Sequence, residues 1–148
     1  MSRKKTLGLP FGEIYSMTNI VRNRDRGLTT ELALVGLTLP EWRALRIIYS
    51  FDDDVPMSAL SEHSQTDRTA LSRTLDRLVD RGWIARIPDP VDKRAVFIRR
   101  LGPADDVFER ARCITSAFDK RLMQAIGPSD RTVLARVLTL IESTLAAK

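Results

Sequence analysis

The sequence predicts a mainly α-helical fold that contains one small β-hairpin, and three observations lead to this prediction. Apolar residues recur at spacings of three and four along most of the chain, which is the period of a helix with one buried face. Glycines interrupt that period at Gly36, Gly82, Gly102 and Gly127, so several separate helices are expected. Two short runs of β-branched and aromatic residues flank the turn-forming sequence PDPVDKR, which predicts the hairpin.

The N-terminal region, residues 1–36, is predicted to be a basic, mobile tail followed by a long amphipathic helix. The tail covers residues 1–10. The helix runs from Phe11 to about Val35, where apolar side chains follow a near-heptad rhythm. Its charged middle, RNRDR, is expected to face solvent.

Two shorter helices are predicted next. Thr38 and Glu41 have the spacing of a capping box, with proline between them, so a helix begins there and buries Trp42 and Leu45. Residues 56–64 form the second helix. The acidic run 52–54 lies between the two helices, but metal-binding loops alternate their ligands and need further oxygen atoms, so no metal site is predicted.

The stretch from Thr66 to Arg100 is the centre of the prediction. A helix capped by Thr66 or Asp67 ends at Gly82 and carries an apolar stripe formed by Leu71, Leu75, Leu78 and Val79. The opposite arc should meet solvent or a partner, and it contains Thr69, Ala70, Arg73, Thr74, Asp76 and Arg77. The strands of the hairpin are predicted at 83–87 and 95–99.

Charge is concentrated in the same stretch. Between Thr66 and Arg100, nine Arg or Lys residues stand against five Asp residues, a net charge of +4, whereas the whole chain carries +5. A local excess of this kind is typical of a surface that binds a polyanion.

Two further helices are predicted after the hairpin. The first begins at Gly102 and Pro103, and Gly127 with Pro128 separates it from the last one. The order of elements is therefore a winged helix-turn-helix lobe, residues 37–101, flanked by long helices in residues 1–36 and 102–148. These long helices carry apolar stripes that one chain cannot cover, so they are predicted to form a homodimer.

Composition limits the other function classes. The single cysteine, Cys113, excludes an intramolecular disulfide and is expected to be a small core residue. No apolar run approaches the roughly 20 residues that span a bilayer, and the start of the chain makes a poor signal peptide, so a cytoplasmic protein without membrane contact is expected. One histidine, one cysteine and no glycine-rich phosphate loop argue against catalysis, and no cofactor is expected.

The runs LTLPEWRALRII and ALSEHSQTDRTALSRTLDRLVDRGWIARIPDPVDKRAVFI resemble the MarR family of winged helix-turn-helix transcriptional regulators. The resemblance implies a homodimer with interlocked terminal helices that binds pseudo-palindromic double-stranded DNA. It also implies a repressor that a small aromatic or phenolic effector releases from DNA. The chain departs from the family at residues 101–105, where a Thr-x-x-Gly start is common, and it lacks the N-terminal cysteine of members that sense oxidants.

Nine residues are expected to contact DNA: Arg68, Thr69, Ala70, Ser72, Arg73, Arg77, Arg86, Lys93 and Arg94. Those near the helix start would read base edges in the major groove, with Arg68 and Arg77 closer to phosphates. Arg94 would enter the minor groove, oriented by Asp89 and Asp92. Alternatively, these Asp–Arg pairs only tie the hairpin together.

Two questions stay open at this point. Tyr15, Asn19 and Arg46 are candidates for a polar contact to the effector, and each is equally compatible with a packing or surface role. The alternative function is a winged-helix module that binds another protein without binding DNA specifically. Salt dependence of binding would distinguish the two functions, because phosphate contacts weaken steeply with salt.

Overall fold

A computed structural model describes residues 12–147, so the predicted basic tail and Phe11 lie outside the described residues. The mainly helical fold with a small sheet is confirmed. In chain order the elements are α1 Glu13–Ala33, α2 Leu39–Tyr49, β1 Val55–Pro56, α3 Met57–His63, α4 Arg68–Asp80, β2 Ile84–Pro88, β3 Val96–Arg100, α5 Ala104–Met123 and α6 Pro128–Ala146.

Local capping sets the helix boundaries, as the sequence predicts. The Thr38 hydroxyl accepts a hydrogen bond from the Glu41 amide, and the Glu41 carboxylate accepts one from the Thr38 amide at 2.8 Å. Asp67 caps α4 by accepting from the amide of Ala70 at 2.9 Å. Each of these bonds satisfies an N–H group that has no partner within its helix.

The predicted hairpin is present, but it belongs to a three-stranded antiparallel sheet with the order β1-β3-β2. Each hairpin strand begins one residue later than predicted. Trp83 is still part of the end of α4, because its amide donates to the carbonyl of Leu78. The third strand, β1, pairs Val55 with Ile98. It was not predicted because it has only two residues and one of them is proline.

The chain divides into two compact units, residues up to 114 and residues from 115 onward. In the first unit, leucine and isoleucine side chains from α1 to β3 form the core: Leu28, Leu32, Leu45, Ile48, Leu60, Leu75, Leu78, Ile84 and Ile98. The predicted outward position of Thr74 is wrong, since it is only 6% exposed and its hydroxyl donates to the carbonyl of Ala70. Asp25, in the charged middle of α1, is half-buried and accepts from Arg43 at 2.7 Å instead of facing solvent.

The second unit contains α6 and the end of α5. Within it, Arg131 donates to the carbonyls of Met123 and Ile126, which holds the connection between the two helices. No residue of α6 is buried in the single chain. The apolar stripe predicted for this helix therefore faces outward along its length, at Leu134, Val137, Leu138 and Leu145.

Two other expectations can be compared with the structure. The prediction that Cys113 is a core residue is wrong, because its side chain is exposed on α5. Among the helices of residues 12–147, none is long and apolar enough to cross a membrane. The division of the chain at residues 36 and 101 into functional regions stays a prediction.

Candidate nucleic-acid interface

Helix α4 presents one polar face, and this face carries most of the residues that were predicted to contact DNA. Arg68, Thr69, Arg73 and Arg77 are exposed, whereas Ala70 and Ser72 are half-buried beside them. The opposite face of the helix is fixed in the core by Leu71, Leu75 and Leu78. Because a helix places residues three and four apart on one side, burial of this stripe turns the arginines outward.

The nine basic residues between Thr66 and Arg100 separate into two groups. Arg81 pairs with Glu41 at 3.2 Å, Arg99 pairs with Asp54 at 2.7 Å, Arg86 pairs with Asp76, and Arg100 lies over the ring of Tyr49. The remaining five form no ion pair with any residue in the described part of the chain: Arg68, Arg73, Arg77, Lys93 and Arg94. Uncompensated positive charge is therefore concentrated on the outer face of α4 and on the turn of the hairpin.

Arg86 has a partner within the lobe that the sequence did not indicate. One guanidinium nitrogen donates to Asp76, and the other lies 3.4 Å from the carbonyl oxygen of Ser72. These contacts join β2 to α4. The predicted DNA contact of Arg86 would therefore compete with an ion pair inside the lobe.

Arg68 and Arg94 line the same groove, which has a volume of about 380 Å³. Arg68 comes from the first turn of α4 and Arg94 from the end of the hairpin turn. Ser58 and Ser61 of α3 contribute hydroxyl groups, and Phe97 forms part of the apolar wall. Guanidinium and hydroxyl groups that line one groove suit the oxygens of a phosphate.

The carboxylates of the hairpin turn act on the backbone. Asp89 accepts from the amides of Val91 at 2.7 Å and Asp92 at 3.2 Å, and Asp92 accepts from the amide of Arg94 at 2.9 Å. Within residues 12–147 neither carboxylate forms an ion pair with the Arg94 guanidinium, and their orientation of Arg94 in the minor groove stays a prediction. They shape the turn and leave the Arg94 side chain available.

The three candidate effector residues have different environments within residues 12–147. Arg46 lies on α2, 6.0 Å from the ring of Trp42, and lines a cavity of about 410 Å³ beside this helix. The described lining of that cavity includes neither Tyr15 nor Asn19. Tyr15 is exposed on α1, and Asn19 is buried with its carbonyl oxygen accepting from Arg22 at 2.8 Å.

An aromatic cluster that joins the lobe to α5 was missed by the sequence analysis. The Tyr49 hydroxyl donates to Asp105 at 2.6 Å, and the ring stacks on Phe108 with 3.8 Å between centroids. Burial, followed by the hydrogen bond to Asp105, raises the pKa of Tyr49 far above its usual range. The sequence placed Tyr49 and Phe108 on buried stripes, but no local signal pairs two residues this far apart in the chain.

The MarR family profile matches residues 37–96, from the residue before Thr38 to the first residue of β3. Over this segment the chain is similar to the MarR family. The multiple antibiotic resistance protein MarR of Escherichia coli is 34% identical over 91 residues, which are 62% of this chain and 61% of that protein. The MarR protein of Salmonella typhimurium gives the same figures. The chain thus matches less than two thirds of the length of these relatives.

The likeness to solved structures extends beyond residues 37–96. The crystal structure of an Escherichia coli MarR variant complexed with operator DNA has a TM-score of 0.77 at 25% identity, and the match covers 95% of this chain and 99% of that one. An organohalide-sensing transcriptional regulator in its 2,4-dichlorophenol-bound form has a TM-score of 0.78 at 21% identity, with 88% and 77% covered. The second likeness concerns the fold alone.

Proposed function

We propose that this chain is a transcriptional regulator of the MarR family, acting as a repressor, that binds pseudo-palindromic double-stranded DNA as a homodimer. The observation that carries the proposal is the group of five cations on α4 and the hairpin turn that have no ion-pair partner among the described residues. Buried or neutralised arginines would contribute little to a phosphate surface. These exposed cations are available to neutralise the phosphates of a polyanion.

The proposed contacts follow from position. The start of α4 enters the major groove, where Arg73 can donate two hydrogen bonds to one guanine and Thr69 or Ser72 can bond several bases. Arg68 lines the same protein groove as Arg94 and binds a DNA phosphate there. Arg94 or Lys93 enters the minor groove of the DNA. Arg77 lies further along α4 and binds the backbone.

The proposed dimer is supported by apolar surface at the two ends of the chain. Ile14, Ile20 and Val21 of α1 and Leu140 of α6 are each more than half exposed in the single chain. Apolar stripes of this length are covered in most soluble proteins by a second copy related by a two-fold axis. Two α4 helices about 34 Å apart would then read half-sites one helical turn apart.

The effector belongs to the same proposal. We propose that a small aromatic or phenolic molecule releases the protein from DNA, by favouring a spacing of the two lobes that does not fit the groove. The 2,4-dichlorophenol-bound form of the organohalide-sensing regulator, a fold relative, supports this class of ligand. Tyr15, Asn19 and Arg46 remain the proposed polar contacts.

The experiment is selection of bound duplexes from random DNA, followed by titration of single variants on the selected duplex at fixed salt. Arg73→Ala is expected to cost about 1–3 kcal/mol of binding free energy and to relax base preference, because it removes a base contact. Arg94→Ala should weaken binding more evenly across sequences. Light scattering of the complex is expected to give two chains per duplex.

Arg110→Ala is the matched control, since Arg110 is exposed on α5 and pairs with Asp106 at 3.7 Å. It removes the same charge from a different surface. Parent-like affinity of both the Arg73 and the Arg94 variants would contradict the proposal, as would a complex that contains one chain.

A further inference from the structure

A short turn joins the lobe to α5, so the orientation of this helix depends on side-chain contacts. Strand β3 ends at Arg100 and α5 begins at Ala104, with only residues 101–103 between them. The first half of α5 belongs to the same compact unit as the lobe, and Ala104, Val107 and Ala111 are buried there. Burial of small apolar side chains holds a helix against the core but is non-directional. A directional contact is needed to fix its angle.

Tyr49, at the end of α2, provides such a contact with two residues of α5. Its ring stacks on Phe108 with an interplanar angle of 8°, and its hydroxyl donates to the carboxylate of Asp105 at 2.6 Å. Residues three apart lie on the same side of a helix, so this carboxylate and this ring form one surface that fits the phenol. A hydrogen bond to a carboxylate is directional and stronger than a neutral one. The contact therefore fixes both the distance and the angle between α2 and α5.

Neighbouring groups extend this contact into other parts of the lobe. Phe108 also lies 5.4 Å from the ring of Trp42, which precedes Tyr49 by about two turns of α2. Arg100, the last residue of β3, lies 5.2 Å from the centroid of the Tyr49 ring. Tyr49 thus contacts the start of α5 and the end of the hairpin at the same time. The lobe and the first half of α5 should move as one body.

Rigidity at this point matters for a protein that binds two half-sites. In the proposed dimer, the separation of the two α4 helices depends on how each lobe is held by the helices outside it. A firmly held lobe allows a narrow range of separations, so only one half-site spacing fits well. A loosely held lobe would lose more conformational entropy on the matching duplex and would adapt more easily to other spacings.

We propose that Tyr49 is a positioning residue that determines which half-site spacing the dimer accepts. Its hydrogen bond to Asp105 and its stack on Phe108 hold the lobe on α5, and Tyr49 acts through the orientation of α4 and not by contacting DNA. The inference rests on the proposed function, because it requires two copies of the chain on one duplex.

The test uses the selected duplex and two relatives of it, with one base pair inserted or deleted between the half-sites. One base pair moves a half-site by about 3.4 Å and rotates it by about 35°. The parent is expected to bind the altered duplexes about tenfold more weakly than the selected one, whereas Tyr49→Phe should bind them about threefold more weakly. A variant that is only less stable has a smaller folded fraction, which lowers its apparent affinity for every duplex equally. The ratio of affinities therefore reports positioning and not stability.

Asp105 supplies the second set of variants. Asp105→Ala removes the acceptor at an exposed position and should give the ratio of Tyr49→Phe, with no further change when the two substitutions are combined. Asp105→Asn keeps a carbonyl oxygen that can accept from the hydroxyl, so it should retain most of the parent's ratio. Asp106→Ala is the matched control, because Asp106 is the next residue, is exposed and carries the same charge. It should leave the ratio unchanged.

Several results would overturn the inference. One is a ratio in Tyr49→Phe equal to that of the parent, and another is an Asp105→Ala variant that behaves like Asp106→Ala. A parent that binds the three duplexes with equal affinity would overturn it as well. If Tyr49→Phe does not fold, as judged by urea denaturation, the Asp105 variants decide. A parent that binds no duplex would contradict the proposed function and the inference together, whereas normal binding with an unchanged ratio in the variants would overturn the inference alone.

Discussion

At the scale of single residues, Tyr49 shows how one side chain joins three elements. Its ring stacks on Phe108 of α5, its hydroxyl donates to Asp105 of the same helix, and Arg100 of β3 lies over its ring at 5.2 Å. The pKa of Tyr49 is raised mainly by burial and then by the Asp105 hydrogen bond, so the folded chain holds the phenolic proton more tightly than the unfolded chain.

This raised pKa predicts a specific dependence of stability on pH. A group whose folded pKa lies above its unfolded pKa contributes stability that is complete below the unfolded value, near pH 10 for tyrosine, and declines as pH rises toward the folded value. The difference in unfolding free energy between the parent and Tyr49→Phe should therefore shrink from about pH 8 to about pH 11, as measured by urea denaturation. Other titrating groups are common to both proteins. An equal difference at the two pH values would contradict the assignment.

Residue identity alone did not predict every partner. The outward basic arc of α4 followed from helical spacing, and Arg68, Arg73 and Arg77 lie there. Thr74 was placed on the same arc but is buried. The face of α4 that lies toward α2 is wider than the leucine stripe and includes Thr74. Ion pairs between distant segments, such as Arg99 with Asp54, depend on the folded chain and leave no local signal in the sequence. This pair lowers the pKa of Asp54, chiefly through the hydrogen bond from Arg99.

At the scale of elements, Gly82 determines where α4 ends. Its φ is +68°, its amide donates to the carbonyl of Val79 at 2.8 Å, and the next amide donates to Leu78. Only glycine adopts this left-handed conformation without a steric penalty. The turn directs the chain into β2 and so places the hairpin beside α4.

Gly82→Ala is expected to lower the free energy of unfolding by about 1–2 kcal/mol. No atom lies within 4 Å of the added methyl group, so the cost comes from the backbone conformation and not from a clash. Gly102→Ala is the matched control, since its Cβ would also meet open space and its φ is not positive. Denaturant titration of both variants measures the difference, and equal decreases in stability would contradict this explanation of the turn.

Elements with local signals were predicted well, and those defined by distant pairing were not. The capping box at Thr38 and the cap at Asp67 involve residues three apart, so they can be read from the sequence. Strand β1 exists only because Val55 meets Ile98, a residue far along the chain. The hairpin strands begin one residue later than predicted, because the hydrogen bonds that cap the end of α4 extend to Trp83.

At the scale of the whole molecule, the distribution of charge is more informative than its total. The chain has a net charge of +5, but several arginines of the lobe are neutralised by acids from other segments, as Arg81 is by Glu41. Of the nine basic residues between Thr66 and Arg100, the five that have neither an ion pair nor a ring contact within residues 12–147 lie on α4 and the hairpin turn. The sequence predicted the location of this surface, whereas the identity of its free cations required the structure.

The most direct test of this surface is the salt dependence of the affinity for the selected duplex. Arg73 is assigned to a base, and if the other four free cations of each copy neutralise phosphates, affinity should fall by about a thousandfold or more between roughly 50 and 200 mM salt. Arg94→Gln removes one cation from each copy. The slope of log affinity against log salt concentration should therefore become shallower by about 1 for each phosphate that is no longer neutralised. An affinity that hardly changes with salt, or a slope that Arg94→Gln leaves unaltered, would contradict the account and would favour a protein partner for this lobe.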